Sequence, residues 1–300
     1  MSLQIKVPAT TANLGAGFDS VGVALNLYLT IDVQPANEWS FISHSQYLDL
    51  IPTDQDNLIY QIAKQTANRY SDQKLPACRV ELTSDIPLAR GLGSSATAIV
   101  AGIELANQLL SLNLTSQEKV LWATEIEGHP DNVAPATLGG CVIGHYDNAL
   151  DMIRVELKSD LVFLAMIPPF ELKTKEARAV LPKSFTFEDG VQASSIANVS
   201  IAAICQGDWA LLGQMMKKDK FHQPYRKALI PHYQQLEGIL TDHVYGTYLS
   251  GAGPTMIALA SRHVISDHLS EWQRQYNDFD WCILEPDHSG VQVQLQNMKV

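Results

Sequence analysis

The amino-acid sequence predicts a mixed α and β protein that is divided into two domains. A length of 300 residues corresponds to two domains of ordinary size. Stretches of alternating apolar and polar residues, typical of strands, and stretches with helical spacing occur in both halves of the chain. We place the boundary near residue 155, so the predicted domains are residues 1–155 and 156–300.

The first half of the chain is predicted to alternate strands with helices. Asp56 is the candidate N-cap of the first helix, and Thr115 or Ser116 that of the third. Gly128 and Pro130 are expected to end that third helix. The predicted strands cover residues 3–9, 21–33 and 78–84. The predicted helices cover residues 54–70, the stretch that follows the glycine- and serine-rich loop and ends at Leu110, and residues 116–127.

The second half is predicted to begin with strands and to continue as a mixture. Pro168 and Pro169 end the third of these strands, and Gly207 divides a long helical stretch. The predicted strands cover residues 139–146, 152–157, 161–167 and 280–285. The remaining elements are helical segments within 191–217, a strand–turn–strand unit over 245–260 and a helix over 264–277.

The composition is typical of a globular protein with an acidic surface. Hydrophobic residues make up 46% of the chain, charged residues 18%, and the formal net charge is −11. This charge argues against nucleic acid and anionic membranes as partners, because phosphates attract basic surfaces. No C-x-x-C pair occurs among the four cysteines, so we expect free thiols. Residues 1–10 lack the apolar run of a signal peptide, and we expect a cytoplasmic protein without membrane spans.

A loop rich in glycine and serine lies where a predicted strand passes into a predicted helix. It reads Pro-Leu-Ala-Arg-Gly-Leu-Gly-Ser-Ser-Ala-Thr-Ala over residues 87–98. A helix N-terminus offers free N–H groups and a partial positive charge, and glycines let a phosphate approach the backbone closely. Ser94 and Ser95 either cap the helix or bind a phosphate or a metal ion. The loop therefore predicts an anion site, with a glycine turn of purely geometric purpose as the alternative.

The same loop also matches the dinucleotide-binding pattern G-x-G-x-x-A through Gly91, Gly93 and Ala96. That pattern would indicate an oxidoreductase that uses a nicotinamide dinucleotide. It normally follows the first strand of its domain and precedes an acidic residue at the end of a second strand. Here about 80 residues precede it, and the following segment is predicted to be helical. The loop is not a Walker A loop either, because no Gly-Lys-Ser/Thr follows.

Two further loops combine small residues with polar ones. Residues 8–19 read Pro-Ala-Thr-Thr-Ala-Asn-Leu-Gly-Ala-Gly-Phe-Asp between two predicted strands, and residues 250–255 read Ser-Gly-Ala-Gly-Pro-Thr. Loops on a rigid scaffold often carry binding groups. The alternative for residues 8–19 is a turn in which Asn13 and Asp19 bond their own backbone. The alternative for residues 250–255 is a simple hairpin turn.

The three loops, in this order, resemble the signature motifs of the GHMP kinases. Within that superfamily, residues 10–19, Glu-Gly-His-Pro-Asp-Asn-Val-Ala-Pro-Ala at 127–136 and Thr-Lys-Glu-Ala-Arg at 174–178 resemble those of homoserine kinases. The resemblance extends from residue 7 to about residue 259. It implies an α+β fold with a first domain like that of ribosomal protein S5, a ferredoxin-like second domain and an active site between them.

The resemblance implies phosphorylation of the side-chain hydroxyl of L-homoserine by ATP with Mg²⁺, a step of threonine biosynthesis. A homodimer is a further family expectation. Arg178 and Arg226 match the pair that binds the carboxylate, for which an arginine fork is suited. Asn13 and Asp19 match the pair that receives the amino group. The positions that match the substrate site are Asn13, Asp19, His129, Thr174, Arg178 and Arg226.

On the nucleotide side, Ser95 and Glu127 match the Mg²⁺ ligands, with Ser94 and Glu125 as alternatives. Asn132 matches a polar residue beside the γ-phosphate. The resemblance implies no dedicated catalytic base; Asp131, which lies where other members of the superfamily have an aspartate base, is expected to brace its loop. The positions that match the ATP site are Asn57, Pro87, Leu88, Ala89, Arg90, Gly91, Leu92, Gly93, Ser94, Ser95, Ala96 and Thr97.

The resemblance leaves two alternative functions to be considered. One is a relative without catalytic activity that binds a nucleotide or a sugar as a regulator. The intact metal and substrate positions argue against it. The other is a kinase that acts on another acceptor, such as mevalonate. The two arginines together with Asp19 favour an amino acid instead.

Overall fold

The computed structural model describes residues 2–49, 51–157 and 161–296 of the chain. Within these residues it contains two sheets and ten α-helices. The strands are β1 (Ser2–Ala12), β2 (Val21–Pro35), β3 (Ser40–Ser43), β4 (Cys78–Ser84), β5 (Cys141–Asp147), β6 (Ala149–Val155), β7 (Leu161–Ile167), β8 (Gly246–Leu249), β9 (Met256–Ser261), β10 (Asp280–Leu284) and β11 (Gln292–Gln296). The helices are α1 (Leu58–Tyr70), α2 (Ser94–Leu110), α3 (Ser116–Glu127), α4 (Pro130–Leu138), α5 (Thr174–Ala179), α6 (Phe187–Gln206), α7 (Trp209–Met216), α8 (Gln223–Arg226), α9 (Tyr233–Leu240) and α10 (Arg262–Gln275).

The first sheet is organised around the long strand β2. One end of β2 pairs with β5, the other end pairs with β4, and β1 runs antiparallel along the opposite edge of β2. The described strands of this sheet follow the order β11-β1-β2-β4-β3, and β6 extends it beyond β5. Strands of the first sheet therefore carry two of the predicted loops, the one between β1 and β2 and the one between β4 and α2.

The second sheet has the strand order β10-β7-β9-β8, and its neighbouring strands are antiparallel. Helices separate β7 from β8, and α10 separates β9 from β10. This is the βαββαβ arrangement of a ferredoxin-like domain. The predicted α+β class is confirmed.

Strand β7 joins the two hydrophobic cores of the protein. All seven of its residues are buried, which explains their continuous apolar sequence, since a strand covered on both faces needs no alternation. Val162, Leu164 and Met166 pack with residues of α9 and α10. Phe163 and Ala165, on the opposite face, belong to the same core as the first sheet. The second sheet is thereby fixed against the first by apolar packing.

Several predicted elements are confirmed to the residue. Strands β4 and β7 have the predicted bounds, and α3 begins with a capping box between Thr115 and Glu118. The long helical stretch is divided at Gly207, whose left-handed backbone ends α6. Gly128 likewise ends α3. Glycine is favoured at these ends because it adopts a positive φ without steric cost.

Other predictions are wrong in detail. Asp56 is not the N-cap of α1; the cap is Asn57, whose side-chain oxygen accepts a hydrogen bond from the Ile59 N–H group at 3.0 Å. Pro130 does not end α3 but begins α4, as suits a residue with a fixed φ and no N–H group. The strand over 280–285 does not finish the fold. The sequence analysis missed β3, α4, α8, α9 and β11.

The domain boundary at residue 155 stays a prediction, and residues 158–160 beside it lie outside the described part. Strand β6 of the first sheet ends at Val155, and β7 of the second sheet begins at Leu161. Strand β11 nevertheless returns to the first sheet and pairs with β1. Among the described residues, no helix is both long enough and apolar enough to cross a membrane.

Close helix–strand packing predicts that Gly213 in α7 tolerates no side chain. A Cβ atom there would lie 1.7 Å from the Tyr245 carbonyl oxygen, at the start of β8. We expect Gly213→Ala to lower the free energy of unfolding by about 1–3 kcal/mol, because either the backbone of α7 or the segment at Tyr245 must shift. Urea denaturation measures this change.

Gly238 in α9 supplies the matched control, since a Cβ atom there meets nothing within 4 Å. Gly238→Ala should stabilise the protein by up to about 1 kcal/mol, the difference in helix propensity. Equal effects of the two substitutions would contradict the packing argument.

Candidate active site

The loop between β4 and α2, residues 87–93, is called the phosphate loop below. Its backbone is left-handed at Ala89, Gly91 and Gly93, with φ of 51°, 81° and 71°. Gly93 is the N-cap of α2 and makes no side-chain cap. The predicted alternative in which Ser94 or Ser95 caps α2 is therefore wrong; both are the first residues of the helix. The first N–H groups of α2 have no partner within the helix and are available to an anion.

Both glycines of the phosphate loop are required by close contacts with the two other predicted loops. A Cβ atom on Gly93 would lie 1.9 Å from Thr10 Oγ1, and one on Gly91 would lie 2.4 Å from the Ser250 carbonyl oxygen. The Thr10 N–H donates to the Leu92 carbonyl at 3.2 Å, and the Ser250 hydroxyl donates to the Gly91 carbonyl at 2.6 Å. The three loops singled out in the sequence thus meet at one place.

A cavity of about 300 Å³ opens beside this meeting point, and it is called the phosphate cavity below. It brings the start of α2 together with the ends of α3 and β8 and the start of α5. Its lining is Ala89, Gly91, Gly93, Ser94, Ser95, Ala96, Glu127, Asn132, Leu172, Lys173, Thr174, Gly251, Ala252 and Gly253. Ser95, Glu127, Asn132 and Thr174, predicted from separate motifs, therefore share one cavity.

A second, mostly apolar cavity of about 200 Å³ adjoins the first and shares Ser94 and Ser95 with it. Asn57, which was predicted near the adenine, also lines it, together with Leu88 and Thr97. The amide of Asn57 is engaged in capping α1 and in a hydrogen bond to the Pro52 carbonyl. Asn57 therefore contributes to the shape of this cavity more than to its hydrogen bonding.

Three predicted ATP-site residues line neither cavity. Leu92 is buried in the core, and its carbonyl accepts from Thr10. Arg90 donates to the Pro169 carbonyl at 2.9 Å, and Pro87 is buried as the loop leaves β4. Their sequence positions shape the phosphate loop without facing the cavities.

The two candidate metal carboxylates have different surroundings. Glu125 forms a bidentate ion pair with Arg69, outside the phosphate cavity. Glu127 lines the cavity with Ser95, and its carboxylate has no hydrogen bond or ion pair with any described residue. Burial, and then the nearby Asp131 charge, raise the pKa of Glu127 against the opposing influence of His129 and Arg178. A half-buried carboxylate without a hydrogen-bonding partner among the described residues, beside a hydroxyl, suits a hard cation.

Asp131 holds the loop between α3 and α4. Its Oδ1 accepts hydrogen bonds from His129 Nδ1 at 2.5 Å and from Asn132 Nδ2 at 3.2 Å, and its side chain is 3% exposed. Asn132 Oδ1 in turn accepts from the Thr10 hydroxyl at 2.8 Å. Burial lowers the pKa of His129, but the bond to Asp131 and the surrounding carboxylates raise it above its usual value.

Asp19 and Arg178 face each other as a bidentate ion pair, with N–O distances of 2.8 and 3.0 Å. The two residues lie 159 positions apart in the chain, on the β1–β2 loop and on α5. About a third of each side chain is exposed. Hydrogen bonds to Asp19 raise the pKa of Arg178. Arg178 is therefore paired with a residue of the β1–β2 loop and is not an isolated surface residue.

Arg226 is 2% exposed and forms no ion pair with a described carboxylate. Its Nε donates to the Ala177 carbonyl at 3.1 Å and its Nη1 donates to the Gly251 carbonyl at 3.0 Å. Burial, and then repulsion by Arg178, lower the pKa of Arg226 to about 10, so the guanidinium stays charged at neutral pH. Its Nη1 also contacts His222 Nδ1 at 3.4 Å. A buried cation without a carboxylate partner among the described residues suits an anionic ligand.

Asn13 bonds the backbone of its own loop, as in the alternative of a simple turn. Its Oδ1 accepts from the Asp19 N–H at 3.1 Å, and its Nδ2 donates to the Gly251 carbonyl at 2.9 Å. Gly251 lines the phosphate cavity and also binds Arg226, so this turn lies directly between the cavity and the charged residues. The role of Asn13 toward an amino group stays a prediction.

The sequence analysis missed three residues of this region. The ring of Phe18 lies below the guanidinium groups of Arg178 and Arg226, at 5.6 and 5.1 Å. His222, fully buried, stacks on that ring at 5.3 Å and donates from Nε2 to the Gly15 carbonyl. Lys173 lines the phosphate cavity. Phe18 lies within one of the quoted motifs and Lys173 adjoins another, whereas no sequence pattern marks His222.

Two family models match the chain. The model described as GHMP kinases N terminal domain matches residues 57–140, and the model described as GHMP kinases C terminal matches residues 200–278. Together they cover more than half of the chain, and the first includes the phosphate loop and the segment around Asp131.

Individual relatives extend the similarity to nearly the full length. A homoserine kinase of Halalkalibacterium halodurans is 46% identical over 98% of this chain and 95% of its own length. A homoserine kinase of Bacillus cereus is 48% identical over 96% of each chain. The crystal structure of homoserine kinase from Cytophaga hutchinsonii, 26% identical, has a TM-score of 0.86 and covers 98% of this chain and 97% of that one. The chain therefore belongs to the homoserine kinase family of the GHMP kinases.

Proposed function

We propose that the protein transfers the γ-phosphoryl group of ATP to the side-chain hydroxyl of L-homoserine and so forms O-phospho-L-homoserine, a step of threonine biosynthesis. The observation that carries this proposal is the position of the phosphate cavity next to a group of opposite charges. Arg226 and Asn13 both contact the Gly251 turn that lines the cavity. Asp19 and Arg178 lie beside them.

The charges of this group match a zwitterionic substrate. Arg226 lacks a carboxylate partner among the described residues, so a substrate carboxylate would supply one. Arg178 and Asp19 neutralise each other in the ligand-free structure. Binding of homoserine would exchange this ion pair for two new ones, from Arg178 to the carboxylate and from the ammonium to Asp19. A molecule with only one of these charges would leave a partly buried partner unpaired, which costs free energy.

The nucleotide would extend across the two adjoining cavities. The apolar cavity with Asn57 suits the base, and the first N–H groups of α2 suit the phosphates. Ser95 and Glu127 would hold Mg²⁺, since they provide a hydroxyl and an unpartnered carboxylate in the phosphate cavity. Bound Mg²⁺ would neutralise charge on the phosphate oxygens.

Catalysis would then depend on positioning and on charge stabilisation, as is usual in phosphoryl transfer. No base is assigned. Both hydrogen bonds of Asp131 Oδ1 hold its neighbours His129 and Asn132, which supports a bracing role. The substrate hydroxyl would attack directly, and its proton would leave late to phosphate or solvent. The homodimer and the cytoplasmic location expected from the resemblance stay predictions.

The acceptor is tested by ADP release with L-homoserine, mevalonate, galactose and shikimate, of which only L-homoserine should support rapid turnover. Two analogues sharpen the test: 4-hydroxybutanoate lacks the ammonium, and 3-amino-1-propanol lacks the carboxylate. We expect each to lower kcat/KM by at least about tenfold, because a hydrogen bond to a charged group contributes about 1.5–3 kcal/mol. Equal turnover of mevalonate would overturn the assignment.

Arg178→Ala should raise the KM for homoserine by an amount equivalent to about 1.5–3 kcal/mol, since it removes a charged partner of the carboxylate. The KM for ATP should change little. Arg274→Ala is the control, because Arg274 donates only to Ser270 of its own helix. Steady-state kinetics measure both, and an unchanged KM for homoserine would exclude Arg178 from the site.

Asp131→Asn should keep turnover within about tenfold of the wild type. A tenfold change corresponds to about 1.4 kcal/mol in the activation free energy. The asparagine retains the Oδ1 acceptor that bonds His129 and Asn132. Asp131→Ala removes this acceptor and should reduce kcat more. A loss of several orders of magnitude in Asp131→Asn would instead identify a catalytic base.

A further inference from the structure

The phosphate cavity has one cationic side chain among the described residues that line it. This residue is Lys173, at the N-cap position of α5. The phosphate loop itself carries no lysine, and its arginine, Arg90, points to the Pro169 carbonyl. A reaction that moves a phosphoryl group needs positive charge near the transferred oxygens. Lys173 is the side chain placed to supply it.

The segment before Lys173 is fixed to the phosphate loop. The Leu172 N–H donates to the Ala89 carbonyl at 3.2 Å, and the Arg90 guanidinium donates to the Pro169 carbonyl at 2.9 Å. These two hydrogen bonds join residues 169–172 to the loop that would hold the phosphates. The backbone of Lys173 is thereby held at the cavity, although its side chain is exposed.

Lys173 forms no hydrogen bond or ion pair through its side chain with any described residue. By contrast, Lys119, Lys220 and Lys227 each pair with a carboxylate. Since Lys173 lines the phosphate cavity and its ammonium group has no partner among the described residues, that group is available to an anionic ligand.

The position of Lys173 along the cleft indicates which phosphate it would meet. The apolar cavity, suited to the base, adjoins the start of α2 at Ser94 and Ser95. Lys173 lies in the neighbouring cavity with Thr174 and Asn132, on the side of the proposed acceptor. The phosphate at this end is the terminal one.

We propose that Lys173 is a catalytic residue that donates hydrogen bonds to the terminal phosphate of ATP as that group is transferred. This inference rests on the proposed kinase function. The homoserine oxygen forms a bond to the γ-phosphorus, the bond from that phosphorus to the β–γ bridging oxygen breaks, and the hydroxyl proton passes to phosphate or solvent. Lys173 keeps its own protons throughout and stabilises the charge on the moving group.

The test compares Lys173→Met with Lys175→Met, its matched control on the same helix, which does not line the cavity. In Lys173→Met we expect kcat to fall by about 10- to 100-fold, the range for a lost hydrogen bond to a charged group, with the KM for homoserine nearly unchanged. Lys173→Arg should recover part of kcat. Lys175→Met should match the wild type.

Titration calorimetry with ADP and with the non-hydrolysable β,γ-imido analogue of ATP separates this role from a structural one. Lys173→Met should weaken binding of the analogue about tenfold and leave ADP binding within twofold, which also shows that the variant is folded. Equal losses for both nucleotides, or a kcat within twofold of the wild type, would overturn the inference. If the wild type does not phosphorylate homoserine but Lys173 still distinguishes the analogue from ADP, the acceptor assignment fails and the role of Lys173 stands.

Discussion

The close approach of the phosphate loop to its two neighbours is the constraint on which the site depends. Gly91 and Gly93 leave no room for a Cβ atom, because Ser250 and Thr10 occupy that space. Thr10 belongs to the first sheet, and Ser250 follows β8 of the second. The hydrogen bond from the Ser250 hydroxyl to the Gly91 carbonyl therefore joins the second sheet to a loop of the first sheet. A side chain at Gly91 would therefore disturb both the phosphate loop and its contact with the second sheet.

The charged residues illustrate how an acidic chain can offer a site for anions. Its net charge is −11, yet Arg178 and Arg226 lie together beside the cavity. Carbonyl oxygens of Ala177 and Gly251 solvate Arg226, while Asp19 balances Arg178. Local geometry therefore overrides the average charge. The bidentate pairing of Asp19 with Arg178 fixes the positions of both side chains in the ligand-free structure.

The sequence predicted those features that depend on neighbouring residues. The capping box at Thr115 and the apolar run of β7 are local signals, and both are confirmed. Helix α9 was missed because it follows His232 in a left-handed conformation without a side-chain cap. Strand β11 was missed because it is short and polar, with Leu295 66% exposed. Motif resemblance indicated that Asp19 and Arg178 share a site, but only the folded chain brings them into direct contact.

Strand β11 has a consequence for the biogenesis of the protein. Strand β11 pairs with β1, from which most of the described chain separates it. Until β11 is synthesised, one edge of β1 presents unpaired N–H and C=O groups, and exposed strand edges favour aggregation. The first sheet therefore cannot be completed during translation of its own half of the chain. The first sheet can be completed only after the second half has been synthesised. The contact between the phosphate loop and Ser250 also forms only then.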